Sequence, residues 1–303
     1  MLIIHDPQCA DYGSYMRPEQ PARATRPAAL LRAQHAGWEW RMPAAADEAA
    51  LLLAHTPAHV KRIGHGPDFD EDTPYFPGIG EHARRSVGAA IAAAEHALRE
   101  RTPVFSLMRP PGHHATATQA MGFCYFNQVA VAALLARAQW GAKRVAVWDF
   151  DAHHGNGTEA ILHGDFLHPP KPGDQGSILF CSVHQLPGYP ETGSKSFDNC
   201  RNWPIRPRAP REEHLAALRA SLDEIAAFAP DLLLISAGFD AYARDPITAM
   251  TLEVEDYATL GRWVRETCPP GAATGPGVAT VLEGGYSNDL PLLIDAFLSA
   301  WEN

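Results

Sequence analysis

Cysteine is scarce and poorly placed for pairing. Cys9, Cys124, Cys181, Cys200 and Cys268 are odd in number and widely spaced, and no two form a C-x-x-C pair. The pattern argues against a disulfide framework and a thiolate-built zinc site, and it fits a reducing cytoplasm. Positive charge is also short: 25 Lys and Arg stand against 35 Asp and Glu, a formal net charge of −10. That balance argues against a nucleic-acid-binding surface. It suits solubility and is compatible with a cationic substrate. Long apolar runs are missing as well, so no segment reads as a membrane span. The N-terminus, Met1-Leu2-Ile3-Ile4-His5-Asp6-Pro7, reaches charge and proline at once and reads as a short first strand, not a signal peptide. No linker, charge block or repeat divides the chain. Its 303 residues, 46% of them hydrophobic, can bury one large α/β core or two smaller ones.

What is present is an alternation of strands and helices. Val104–Met108, Arg144–Trp148, Ile178–Val183, Leu232–Ser236 and Val278–Leu282 are short apolar runs, as strands covered on both faces should be. Between and around them lie helical stretches at Glu81–Glu100, Asn127–Gln139, Arg211–Phe228, Glu253–Glu266 and Asp289–Trp301. The alternation predicts a mostly parallel central sheet with helices on both faces. In such a fold ligands sit at the carboxyl ends of the strands.

The titratable residues gather at those ends. Asp149-Phe150-Asp151-Ala152-His153-His154-Gly155-Asn156-Gly157 follows the second run. Side chains two apart on an extended chain share a face, so Asp149, Asp151 and His153 are expected to point the same way if the extension persists. Buried carboxylates need a partner, and a divalent metal is the simplest one. The structural alternative is an Asp/His-rich turn that caps the next helix. Other strand ends carry Arg109-Pro110-Pro111-Gly112-His113-His114, His184, Gly238-Phe239-Asp240 and Glu283-Gly284-Gly285-Tyr286. A single histidine near a turn is ordinarily structural, but a metal needs several ligands and an orienting shell.

These motifs resemble the histone deacetylase family, within the arginase-like metallohydrolases and near the bacterial deacetylases and acetylpolyamine amidohydrolases. The matching stretches are R-P-P-G-H-H-A (109–115), G-F-C-Y-F-N (122–127), D-F-D-A-H-H-G-N-G-T (149–158), S-V-H (182–184), S-A-G-F-D-A (236–241) with D-P (245–246), and L-E-G-G-Y (282–286), in the family's order. The resemblance implies a single arginase/deacetylase-like domain over residues 1–303. It implies catalytic zinc on Asp151, His153 and Asp240, and potassium near Asp149, Asp151, His153, Ser182 and Val183. His114 is then the base toward the attacking water, oriented by Asn156. His113 is its electrostatic partner, oriented by Asp149, and Tyr286 donates to the developing oxyanion. Gly122, Phe123 and Tyr189 are expected to line a substrate tunnel, with Asp72 and Ile247 at its rim. Arg17 stands where a histidine is common, and Asn156 where some members carry Asp.

The expected activity is removal of acetyl or related acyl groups from lysine in proteins or peptides. Polyamine-selective relatives of one branch carry Glu where this chain has Ile247, and an apolar residue offers no attraction to a second ammonium group. The alternatives are a deacetylase of acetylpolyamines or other small amines, and a metal-binding pseudoenzyme that serves as an interaction module. Neither nucleic acid nor membrane is an expected partner.

Overall fold

The computed structural model describes residues 1–163, 178–271 and 275–303. The apolar runs pair side by side as strands β1 (Leu2–Ile4), β2 (Glu39–Arg41), β3 (Val104–Ser106), β4 (Val145–Asp149), β5 (Ile178–Gln185), β6 (Cys200–Ile205), β7 (Leu232–Ala237) and β8 (Gly277–Leu282). They form one sheet in the order β2-β1-β3-β8-β7-β4-β5-β6. Every pairing between these strands is parallel, where a mostly parallel sheet was expected. Parallel neighbours need crossover connections, and helices supply them.

The helices are α1 (Ala22–Gln34), α2 (Glu48–Leu51), α3 (Pro57–Ile63), α4 (Ile79–Glu100), α5 (Gln128–Gln139), α6 (Asn156–Leu162), α7 (Arg211–Phe228), α8 (Val254–Thr267) and α9 (Leu290–Glu302). Strand residues divide between two cores by alternation. Val145 and Val147 of β4, with Leu232 and Leu234 of β7, pack on the face covered by α4 and α5. Ala146 and Trp148, with Leu233 and Ile235, pack on the face covered by α7, α8 and α9. No helix among the described residues is long and apolar enough to cross a membrane.

The six expected strands, the N-terminal one included, and the five expected helices all form, with ends shifted by a few residues. The sequence reading missed β2 and β6, and both lie at sheet edges. β6 is Cys-Arg-Asn-Trp-Pro-Ile, polar and interrupted by Pro204, which only an edge strand tolerates. It also missed α1, whose apolar periodicity is broken by arginines and by Pro27 within the helix.

Candidate active site

Five neighbouring strands, in the order β3-β8-β7-β4-β5, deliver the site from their carboxyl ends. β3 leads to His113 and His114, β8 to Tyr286, β7 to Asp240, β4 to Asp151 and His153, and β5 to Tyr189. One group of ligand atoms, from Asp151, His153 and Asp240, lies mutually within 4.8 Å. His153 Nδ1 is 2.8 Å from Asp240 Oδ2 and 3.2 Å from Asp151 Oδ1.

The expected shared face of Asp149, Asp151 and His153 does not exist, because β4 stops at Asp149. Beyond it the backbone folds over its own side chains. Asp151 N donates to Asp149 Oδ1 at 3.1 Å, and His153 N donates to Asp151 Oδ1 at 2.9 Å. These successive turns separate the roles. Asp149 faces His113, while Asp151 and His153 face Asp240.

The carboxylates are held from behind. Ala152 N donates to Asp240 Oδ1 at 2.8 Å, and Gly284 N donates to Asp151 Oδ2 at 2.6 Å. A Cβ at Gly284 would run into both Asp151 and Asp240, so only glycine fits there. Asp151 and Asp240 are fully buried. Burial pushes the Asp240 carboxyl up, as does the nearby Asp151 charge. Burial also opposes ionisation of Asp151, but His113 and His153 outweigh it and hold that carboxyl low. Two dehydrated carboxylates and an imidazole nitrogen form a donor set that fits a divalent cation such as zinc, with room left for water and substrate.

The two tandem histidines have opposite surroundings. His113 Nδ1 donates to Asp149 Oδ2 at 3.1 Å, and its Nε2 is 3.9 Å from Asp151 Oδ2. Burial works against its charge, but Asp151 and Asp149 outweigh burial and push its pKa up to about 10. His114 Nδ1 bonds Asn156 Oδ1 at 2.7 Å. Burial and the adjacent His113, ring to ring at 4.0 Å, hold His114 well below the ordinary value. One ring favours the charged form and the other the neutral form. The difference follows from their partners, a carboxylate for His113 and an amide for His114.

A pocket of about 220 Å³ opens over this cluster, lined by Pro18, Asp72, His114, Gly122, Phe123, His153, Tyr189, Ile247 and Tyr286. All five expected substrate-binding residues are among them. The Tyr189 ring stands edge-on to His114 at 5.1 Å, and Phe123 lies against Tyr286 at 5.7 Å. Gly122 takes φ +56, with its backbone pressed against the His114 ring. Ser182 is the register partner of Asp149 on the neighbouring strand, and Val183 follows it, buried. Arg17 reaches across the rim to the Glu71 carbonyl, tying the N-terminal segment to the acidic loop.

Sequence reasoning assigned no role to several supporting groups. The buried Glu283 carboxylate accepts from Gly112 N at 2.7 Å and His113 N at 3.2 Å, fixing the loop that carries both histidines. Burial pushes Glu283 up to about 7. Asp245 Oδ2 accepts from Tyr286 N at 2.7 Å. The Arg23 guanidinium lies 4.7 Å from the Tyr286 ring centre, and its Nε donates to Gly285 O at 2.7 Å. Arg109 makes a buried two-point contact with Glu19, at 2.5 and 2.6 Å. The available signal was an arginine beside an apolar run, since a buried guanidinium requires a carboxylate.

Comparison with known proteins places these features in a wider group. The family model of the histone deacetylase domain matches residues 17–299. A histone deacetylase-like amidohydrolase of Pseudomonas aeruginosa is 37% identical over 81% of this chain and 65% of its own length. An acetylpolyamine amidohydrolase of Mycoplana ramosa is 36% identical over 71% of this chain and 61% of its own. Among solved structures, the HDA15 HD domain superimposes with a TM-score of 0.86 at 28% identity, covering 99% of this chain and 90% of that one.

Proposed function

This chain belongs to the histone deacetylase family, and we propose that residues 1–303 act as one catalytic domain, a zinc-dependent amidohydrolase that removes acetyl or related acyl groups from lysine side chains of proteins or peptides. The observation that carries the reading is the Asp151–His153–Asp240 cluster with His113 and His114 beside it, one bonded to Asp149 and the other to Asn156, and the Tyr286 side chain lining the same pocket. We assign potassium to the oxygen-rich turn around Asp149, Asp151, His153, Ser182 and Val183. The enzyme is assigned to the cytoplasm, in keeping with five buried, unpaired cysteines.

Zinc held by Asp151, His153 and Asp240 would polarise the scissile carbonyl and lower the pKa of the attacking water. The protein's own groups do the rest. The Asn156 amide oxygen only accepts, so the His114 proton sits on Nδ1 and Nε2 is free to take a proton from water. Tyr286 donates its hydroxyl to the carbonyl oxygen as that oxygen gains charge. The amide C–N bond then breaks, and the histidine pair returns a proton to the leaving nitrogen. The charge on His113 makes the His114 proton easier to give up. The products are a carboxylate and a free amine.

Ile247 at the pocket rim supports lysine over polyamine substrates, since it gives a second ammonium group nothing to bind. The polyamine reading draws on the Mycoplana relative and on Asp72, an acid on the same pocket wall. The test is a panel of acylated lysine peptides and N-acylated polyamines, run before and after chelation and with zinc restored. Turnover of the peptides, lost on chelation and regained with zinc, is expected. Turnover of polyamines alone would transfer the function to the small-amine class. Hydrolysis of no acylated amine by zinc-loaded protein would leave only the interaction module.

A further inference from the structure

The second histidine of the Asp-x-Asp-x-His-His stretch belongs neither to the metal cluster nor to the acid–base pair. His154 is buried, and its Nε2 lies 3.2 Å from Glu159 Oε2. That oxygen also accepts from Asn202 Nδ2 on β6 at 2.6 Å. An ionised carboxylate only accepts, so the histidine proton sits on Nε2, and in the neutral ring Nδ1 is left as an acceptor. The Thr192 hydroxyl meets it at 2.7 Å. Beside it the His184 ring, 4.6 Å away centre to centre, donates from Nε2 to Gly193 O at 3.1 Å. Gly193 has φ +76, and a Cβ there would strike both rings. Residues 192 and 193 are seated on a floor of two histidines.

Tyr189 stands three residues earlier in the same loop. Its ring faces His114 and His153 edge-on, and among the described residues its side chain makes no hydrogen bond of its own. The loop's other end is tied by Leu186 N, which donates to Ile205 O at 2.8 Å. Among the described residues, the hydrogen bonds that tie this loop to the rest of the protein therefore lie at its two ends.

We propose that His154 is a positioning residue: through Thr192 it fixes the loop that carries Tyr189, and so sets the wall that grips the acyl-amine substrate without touching the reacting atoms. His154 follows His153 directly, so one turn supports a metal ligand and a pocket wall together. The inference rests on the amidohydrolase reading for its kinetic consequence and on geometry alone for its mechanical one.

The test is Thr192→Val beside Thr192→Ser, at an exposed position where either side chain is accommodated. Thr192→Val should raise KM for an acylated amine by about two- to tenfold, the net worth of one hydrogen bond, with kcat within about twofold. Amide exchange across residues 186–193 should quicken in the same variant. Thr192→Ser keeps the hydroxyl and should restore both. Unchanged KM and exchange, or a fall in kcat at constant KM, would overturn the proposal, as would failure of Thr192→Ser to rescue. If the wild-type protein hydrolyses no acylated amine, it is the proposed function that has failed. The exchange comparison then decides the positioning role alone: faster exchange supports it and unchanged exchange overturns it.

Discussion

His114 and Asn156 share a hydrogen bond of 2.7 Å between Nδ1 and Oδ1, and the partner is an amide where a carboxylate would fit. An amide orients the ring without supplying a full charge. Asn156→Asp adds that charge and stabilises the imidazolium. The base form of His114 is the neutral one, so raising its pKa delays that form to higher pH. The acidic limb of the kcat/KM profile should move up by about one unit or more. A limb that stays in place would remove Asn156 from its assigned role.

Tyr286→Phe isolates a single hydroxyl. The backbone bond from Tyr286 N to Asp245 and the Arg23 guanidinium beside the ring both survive the change. Turnover should fall by about 10²–10³, as for other losses of one oxyanion donor, with metal content unchanged. Steady-state kinetics beside elemental analysis checks both halves.

Asp240→Ala removes a proposed metal ligand and leaves Ala152 N without its acceptor. Metal content after gel filtration should drop to background, and hydrolysis should vanish with it. Retention of stoichiometric zinc would exclude Asp240 from the ligand set. Asp and His donors also admit iron, cobalt or manganese, so the same analysis on wild-type protein identifies the resident ion.

His214 supplies a pH dependence far from chemistry. It is buried in α7, neither ring nitrogen has a partner among the described residues, and burial pushes its pKa down to about 4. The unfolded chain protonates this residue near pH 6.5, as an ordinary histidine does. Between those values the unfolded state binds the extra proton. Stability is therefore fully present above about pH 6.5 and is lost as pH falls toward about 4, by up to about 3 kcal/mol. His55 and His184, held at about 3 chiefly by burial, act in the same direction. His214→Leu should flatten the stability–pH curve in this window, as followed by urea melts. An unchanged slope would mean that the imidazole finds a partner in solution.

The sequence was most informative where residue type is dictated by burial on both sides. β4, β5, β7 and β8 are continuous apolar runs because helices cover both sheet faces, and their ends carried the polar motifs into view. Edge strands β2 and β6 escaped notice because neither is an unbroken buried run: β2 has no buried residue, and β6 mixes buried with partly exposed ones. In the site, Asp151, His153 and Asp240 were readable from the motifs they sit in. The division between Asp149 and Asp151 was not, because it arises from turns that break the alternation of an extended chain. Glu283 stood inside a quoted motif, yet its task is to receive two backbone N–H groups from a segment 170 positions away. Only the fold brings such partners together.

The strand order has a consequence for biosynthesis. β7 lies between β4 and β8, although β5 and β6 precede it in the chain. When β4 and β5 have paired, the other edge of β4 stays open until β7 emerges and docks. During that interval the nascent protein presents an unpaired strand edge and two of the three proposed metal ligands. Asp240 arrives just beyond the carboxyl end of the strand that closes the gap. With the ligand set proposed above, tight metal binding would therefore report that β7 has docked beside β4, and a chain stalled before β7 is expected not to hold the ion.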